Sequence, residues 1–285
     1  PGEISEYPIQ GDVDDLLVFI RNNRVDEIIV AVPWQNDEEI HRITAKLQTV
    51  AADVKLCPEE ISLELPHLGY GEVAGIPMLK LSERPLSGWS VFAKGLEDRI
   101  LGVCLLIAFS PLLIAIALAI KLNSRGPVLF RQKRYGFNNN EFWVLKFRTM
   151  RAAPASDKNV EQAKRGDPRI TTVGRILRRT SLDELPQLVN VVRGEMSLVG
   201  PRPHAVAHNE EYATVINEYL SRHRVKPGIT GWAQINGFRG ETQTLDLMRQ
   251  RVQHDLYYIE NWSVLFDLRI LVMTLFVGFV HRNAY

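Results

Sequence analysis

Cysteine is nearly absent: Cys57 and Cys104 are the only two in 285 residues. Two thiols so differently placed exclude a disulfide framework and a cysteine-built zinc site, and they read as reduced structural residues facing a cytoplasmic-side environment. Charge of one sign is lacking as well. Thirty-four Lys and Arg stand against 33 Asp and Glu, and the net charge of +1 gives no global pull toward nucleic acid. No G-x-G-x-x-G follows a predicted strand, so dinucleotide binding has no support. A charged fraction of 24% with 46% hydrophobic residues is ordinary for folded protein, and the length accommodates two domains. The chain opens at Pro1 with residues that read like the interior of a domain, as a fragment of a longer protein would.

Local absence of charge is more informative. Residues 100–120 form an uncharged run of 21, bounded by Arg99 and Lys121. At about 1.5 Å per residue a straight helix of that length matches the roughly 30 Å hydrocarbon core of a bilayer. Ser110-Pro111 falls at its middle, where proline removes a hydrogen bond and kinks the helix. Three arrangements fit: a bent spanning helix, a hairpin that enters and leaves one leaflet, and a buried helix of a soluble core. Lys94 and Arg99 precede the run, and Lys121, Arg125, Arg131, Lys133 and Arg134 follow it. Basic residues on both flanks keep both ends cytoplasmic and favour the re-entrant hairpin, whose bend Ser110 or neighbouring structure can satisfy.

The other concentration of chemistry is Thr180-Ser181-Leu182-Asp183-Glu184-Leu185-Pro186. Proline is tolerated in a first helical turn, so a helix is expected to begin near Asp183, with the acidic pair at its N-terminus. One reading makes Ser181 and Glu184 a capping box. The other is functional, because Arg175, Arg178 and Arg179 precede the pair and Gly200-Pro201-Arg202-Pro203 follows it. Four guanidiniums around two carboxylates exceed what capping needs and suit phosphate chemistry.

Along the first 84 residues the pattern alternates: helix at 13–22, strand at 27–32, helix at 38–50, strand at 54–57, and an extended pair at 70–79 around Gly75. This predicts an α/β domain, Rossmann-like and incomplete, over residues 1–84, with a linker at 82–88. The remainder, 85–285, is expected to be mostly α, α+β. Residues 126–136 read as extended, and 142–150 as a strand with Lys146 and Arg148 on one face, either a solvated face or a basic site. Residues 152–166 read as a mobile loop able to close over a substrate, and 227–237 as an ordered loop. The apolar residues 270–280 are too short to span and suit either the membrane interface or the core.

From about Lys94 onward the chain resembles the bacterial sugar transferase family, the monotopic phosphoglycosyl transferases. The resemblance rests on the Ser110-Pro111 break, K-F-R-T-M at 146–150, L-R-R-T-S-L-D-E-L-P-Q at 177–187, M-S-L-V-G-P-R-P at 196–203 and P-G-I-T-G-W-A-Q at 227–234. The N-terminal segment resembles the accessory domain of the large members. The family's hairpin entry reads K-R-x-x-D where this chain has Lys94-Gly95-Leu96-Glu97-Asp98, so one basic anchor is missing and Arg99 is the candidate replacement. Gly237-Phe238-Arg239-Gly240-Glu241-Thr242 and Asn283-Ala284-Tyr285 look like the undecaprenyl-phosphate glucose phosphotransferases.

The resemblance implies transfer of a sugar 1-phosphate, glucose first, from a UDP-sugar to undecaprenyl phosphate with Mg²⁺ and release of UMP. The setting would be the cytoplasmic face of the bacterial inner membrane, at the first membrane step of exopolysaccharide or capsule synthesis. Membrane lipids would be partners, nucleic acid would not, and a homo-oligomer stays open. A polyprenyl phosphate is already an anionic nucleophile, so a carboxylate is more useful as a covalent nucleophile than as a base. In that reading Asp183 attacks the β-phosphate, Glu184 helps to hold Mg²⁺, and Arg178 and Arg202 bind phosphate, with Lys146 and Arg148 as further phosphate or headgroup ligands. Two rivals are direct attack by lipid phosphate in a ternary complex, and a non-enzymatic membrane scaffold or regulator whose acidic pair is only a cap.

Overall fold

The computed structural model describes residues 11–23, 25–32, 36–57, 70–73, 76–151, 167–204, 209, 212, 215–216, 218–238 and 244–280. Helix α1 (Val13–Asn22) starts on a reciprocal cap: Asp12 accepts from the Asp14 and Asp15 amides, and Asp15 accepts from the Asp12 amide. Strand β1 (Glu27–Val30) buries Ile28 and Val30, and β2 (Asp53–Leu56) buries Val54 and Leu56, the alternation expected of strands with one covered face. These two strands are parallel and need a crossover, which α2 (Asp37–Leu47) supplies. Strand β4 (Ile76–Ser82) then runs antiparallel to β2, and β3 (Tyr70–Val73) antiparallel to β4, giving the order β1-β2-β4-β3. Ile20, Leu47 and Val50 close the core over the sheet. The α/β reading of this region holds. Gly75, the expected centre of the extended pair, lies outside the described residues.

Residues 83–88 connect the sheet to α3 (Trp89–Ala108), which meets α4 (Ser110–Asn123) at a bend of 58°. Pro111 sits in the first turn of α4, where its missing N–H costs nothing, and the Ser110 hydroxyl donates to the Ile107 carbonyl at 2.7 Å. Among the described residues no single helix is long and apolar enough to cross a membrane, whereas α3 and α4 together meet that test by length and composition. One side of the pair packs inward. Gly102 lies against Val191, with room for no more than a tight Cβ, and Ile116 and Ile120 pack with Phe147 and Leu177. The other side leaves Trp89, Phe92, Ile100, Val103, Ile107, Ile114, Leu118 and Leu122 exposed.

Lys94 is not a headgroup anchor. It is buried, 2.5 Å from Asp267 and 3.3 Å from Asp98, and Asp98 also accepts from the Ser197 hydroxyl and the Leu198 amide. Lys94 therefore ties α3 to the core, since a buried ammonium is tolerated only when paired. Arg99 is exposed.

Strands β5 (Leu129–Tyr135) and β6 (Glu141–Phe147) form an antiparallel hairpin. The Asn190 amide clamps β6 from behind, accepting from Leu145 N and donating to Trp143 O. After α5 (Thr172–Thr180) comes a 3-10 turn, Leu182–Glu184, and only then α6 (Gln187–Val192). The expected helix start at Asp183 is thus corrected: Pro186 is the N-cap residue, and the acidic pair belongs to the tighter preceding turn. The capping box does not form, because Ser181 is in the left-handed region at φ 56° and ends α5.

The expected loop at 227–237 is more ordered than its composition suggests. It holds β8 (Gly228–Thr230), parallel to β7 (Ser197–Val199), and the short α7 (Trp232–Ile235). Glycine is required here by close approach: a Cβ on Gly228 would meet Gly200 N at 2.1 Å, and one on Gly200 would meet Lys226 O at 2.5 Å. This crossing seats Pro201-Arg202-Pro203. Helix α8 (Leu245–Glu260) and α9 (Val264–Val280) complete the fold. On α9 Ile270 and Asp267 are fully buried while Leu265, Val272, Leu275 and Phe276 are exposed, so the core reading holds for one face of a longer helix.

Candidate active site

Glu184 is the centre of the site. Arg202 donates to both of its carboxylate oxygens, at 2.6 and 3.0 Å, and Lys146 adds a bond of 2.7 Å from the end of β6. Burial by itself would raise this carboxyl, yet Arg202 and Lys146 hold it well below the usual carboxylate range. Glu184 in turn raises Arg202. The pair is a fork-to-fork contact of the kind only arginine makes.

Asp183, one residue earlier in the 3-10 turn, is different. Its carboxylate makes no hydrogen bond or ion pair with any described residue. Burial first and the Glu184 charge second push it up to about 6, against the pull of Lys146, Arg178 and Arg202. Two adjacent carboxylates thus take opposite roles: one locked and ionised, the other held near cations with its oxygens unengaged among the described residues. Such a group is ionised at neutral pH and more basic than an ordinary aspartate, which suits a nucleophile.

Of the other expected residues, Arg178 stands beside the pair and donates from Nε to Thr149 Oγ1 at 2.9 Å. Arg175 and Arg179 are exposed on α5. Arg148 is not brought to the cluster. It is buried and donates to the Ser124 carbonyl and hydroxyl and the Arg125 carbonyl, capping the C-terminal end of α4. Lys146 lies on β6, which ends at Phe147, so Arg148 stands beyond the strand whose face the two were expected to share. Ser110 and Pro111 stand at the helix break. Residues 152–166, where a loop was expected, and residues 239–242 and 283–285 lie outside the described residues.

Arg134 was seen in the sequence only as a flanking charge, yet it belongs to this cluster. Its guanidinium donates to Pro203 O and Gln132 Oε1, and burial, then repulsion from Arg202, lower it to about 10. Behind Arg202 lies a buried layer in which Arg222 donates to Asp255 Oδ2 from both Nε and Nη2 and to the Arg202 carbonyl. His204 sits in it beside Arg222 and Arg251, and burial together with those guanidiniums holds it well below the usual histidine range. Arg222 and Asp255 are 33 residues apart in sequence, so no local motif announces them.

Among the described residues no group of three or more His, Cys, Asp or Glu side chains converges into a metal cage. The donor set at the pair is all oxygen, and Glu184 Oε2 accepts only one of the three bonds, leaving acceptor capacity. That fits Mg²⁺, which takes one or two carboxylates and completes its shell with phosphate oxygens and water. Cations surround these carboxylates, so the arrangement can bind a diphosphate and present one free carboxylate to phosphorus.

Residues 89–281 match the family model described as bacterial sugar transferase, and residues 1–58 that of a CoA-binding domain. The chain is 46% identical over 285 residues to the UDP-glucose:undecaprenyl-phosphate glucose-1-phosphate transferase of Escherichia coli (strain K12), covering 100% of this chain and 61% of that protein. It is 43% identical over 280 residues to the protein of the same name from Xanthomonas campestris pv. campestris, covering 98% and 58%. The UDP-N-acetylgalactosamine-undecaprenyl-phosphate N-acetylgalactosaminephosphotransferase of Aeromonas hydrophila is 40% identical over 194 residues, 67% of this chain and 45% of its own length. The chain spans about three fifths of the length of the first two relatives.

Proposed function

The chain belongs to the bacterial sugar transferase family, and from that premise we propose that it transfers glucose 1-phosphate from UDP-glucose to undecaprenyl phosphate, releasing UMP. Relatives named for this reaction, 43–46% identical over nearly the whole chain, support the substrates. One observation carries the chemistry: Asp183 keeps its carboxylate unpaired among the described residues while Glu184 beside it is gripped by Arg202 and Lys146.

An Asp183 oxygen attacks the β-phosphorus, the bond from that phosphorus to the bridging oxygen breaks, and UMP leaves with the electron pair. The sugar phosphate is then an acyl phosphate on Asp183. An oxygen of undecaprenyl phosphate attacks the same phosphorus, the bond to Asp183 breaks, and the carboxylate is restored as the polyprenyl diphosphate sugar departs. Neither nucleophile carries a proton that must be removed, so no general base is needed. Arg202, Arg178 and Lys146 neutralise and orient the diphosphate, which supplies most of the rate in phosphoryl transfer. Glu184, with Asp183 adjacent, would hold Mg²⁺, which when bound neutralises diphosphate charge.

Residues 85–285 are the catalytic domain in this reading, and 1–84 an accessory α/β domain. The bent pair α3–α4 enters and leaves one leaflet of the inner membrane, its exposed apolar side toward lipid, with the site on the cytoplasmic face. This places the enzyme at the first membrane step of exopolysaccharide synthesis, in keeping with a relative named as an exopolysaccharide production protein. Purified protein in lipid nanodiscs with undecaprenyl phosphate and Mg²⁺ should release UMP from UDP-glucose in preference to UDP-galactose. UMP release from neither sugar nucleotide would refute the assignment.

A further inference from the structure

The 3-10 turn Tyr219–Arg224 has its residues three apart in register, because such a helix completes a turn every three residues. Tyr219 and Arg222 form one edge, Ser221 and Arg224 another. The first edge faces the active-site loop. Arg222 Nη2 donates to the Arg202 carbonyl at 2.8 Å, Arg222 Nη1 lies 2.8 Å from His204 Nδ1, and the Tyr219 hydroxyl lies 2.6 Å from the same ring nitrogen. The second edge faces the N-terminal domain. Ser221 donates to Gln48 O at 3.2 Å, and Arg224 donates to the Ser82 hydroxyl at 3.1 Å and to the Glu83 carbonyl. His223, between them, contacts the Gly136 carbonyl at 3.2 Å and Asn209 at 2.9 Å.

Arg202 itself has a fixed side chain but a loop for a backbone, flanked by Pro201 and Pro203, which have no N–H to donate. Its carbonyl is held by Arg222, and Arg222 is aimed by Asp255 through bonds of 2.6 and 3.1 Å while almost fully buried. A buried ion pair of this kind is weak evidence for stability, since apolar residues of similar volume often serve as well. Its geometry does something apolar residues cannot do, namely hold a carbonyl at a set place. We propose that Arg222 is a positioning residue for Arg202, and that the turn carrying it is a strut through which the α/β domain holds the phosphate-binding loop in place. The catalytic part of this inference rests on the reading of Arg202 as a phosphate ligand.

Two variants of the full chain test it. Arg222→Lys keeps the charge opposite Asp255 but removes the planar fork that reaches two acceptors together. Arg224→Ala loosens the far edge and leaves the buried pair intact, so it carries the test even where Arg222→Lys folds poorly. Amide hydrogen exchange of the peptide covering residues 199–204 should be faster in both variants. The kcat/KM for UDP-glucose should fall about tenfold, through KM, as expected for a displaced binding group. In an Arg202→Lys background Arg222→Lys should bring no further loss, since the two then act through one contact. Unchanged exchange in the 199–204 peptide, or losses that multiply in the double variant, would overturn the proposal. Faster exchange in a protein whose wild type releases no UMP would leave the strut standing and remove the enzymatic reading alone.

Discussion

Arg202 grips Glu184 through both carboxylate oxygens, at 2.6 and 3.0 Å, and this fork draws together two motifs 18 residues apart. With Lys146 on the same carboxylate, the contact fixes three groups beside the carboxylate of Asp183, which is unpaired among the described residues and is the proposed nucleophile.

Glu184→Gln removes the charge that compensates Lys146 and Arg202 in a largely buried place. Breaking such a pair by one partner costs about 3 kcal/mol, and denaturant unfolding should show a loss of that order. Because both cations are then free to shift, kcat/KM should fall by about 100-fold or more. Wild-type stability with unchanged kinetics would show that the cluster is ornamental.

Asp183→Asn should behave in the opposite way for stability. The carboxyl is raised to about 6 from its ordinary 3.8, so the folded state binds more protons between those values and loses stability as pH rises through them. Above that window the full cost of the buried charge is present. The asparagine variant should therefore be about 1–3 kcal/mol more stable than wild type at pH 7.5, and catalytically dead. Destabilisation by this substitution would give the Asp183 carboxylate a structural role in place of the nucleophilic one.

The same carboxyl predicts an acid limb. In wild type kcat/KM should drop tenfold per unit of pH below about 6, as the nucleophile takes up a proton. Lys146→Met removes a cation that holds Asp183 down, so the limb of its residual activity should move to higher pH. An unmoved limb would assign the titration to another group.

For the membrane arrangement, Ser87→Cys and Arg125→Cys flank the bent pair on exposed positions. In a chain with Cys57 and Cys104 replaced by serine, both should be labelled from the same side of sealed vesicles. Labelling from opposite sides would make α3 and α4 one broken spanning segment.

The parts of this site that were legible in sequence are those written locally. The Ser110-Pro111 break, the acidic pair and the strand bearing Lys146 each depend on near neighbours, and the alternation of β1 and β2 exposes their covered face directly. Arg148, two positions from Lys146, looks equivalent to it in sequence, and only the folded chain shows that β6 ends between them and that Arg148 is taken up by Ser124 and Arg125 just past α4. The start of α6 was misread because Pro186 is equally at home at an N-cap and in a first turn. Lys94 looked like an anchor because its partner Asp267 is 173 residues away. Arg134, Arg222 and Asp255 were missed for the same reason, since only the folded chain brings them behind Arg202.

The most direct measurement is the intact mass of the protein after incubation with UDP-glucose and Mg²⁺ in the absence of any polyprenyl phosphate. The account predicts one equivalent of UMP released and one hexose phosphate added, located at Asp183 by fragmentation and absent from Asp183→Asn. Full turnover with lipid acceptor but no adduct and no UMP without it would contradict the covalent step and favour direct attack in a ternary complex.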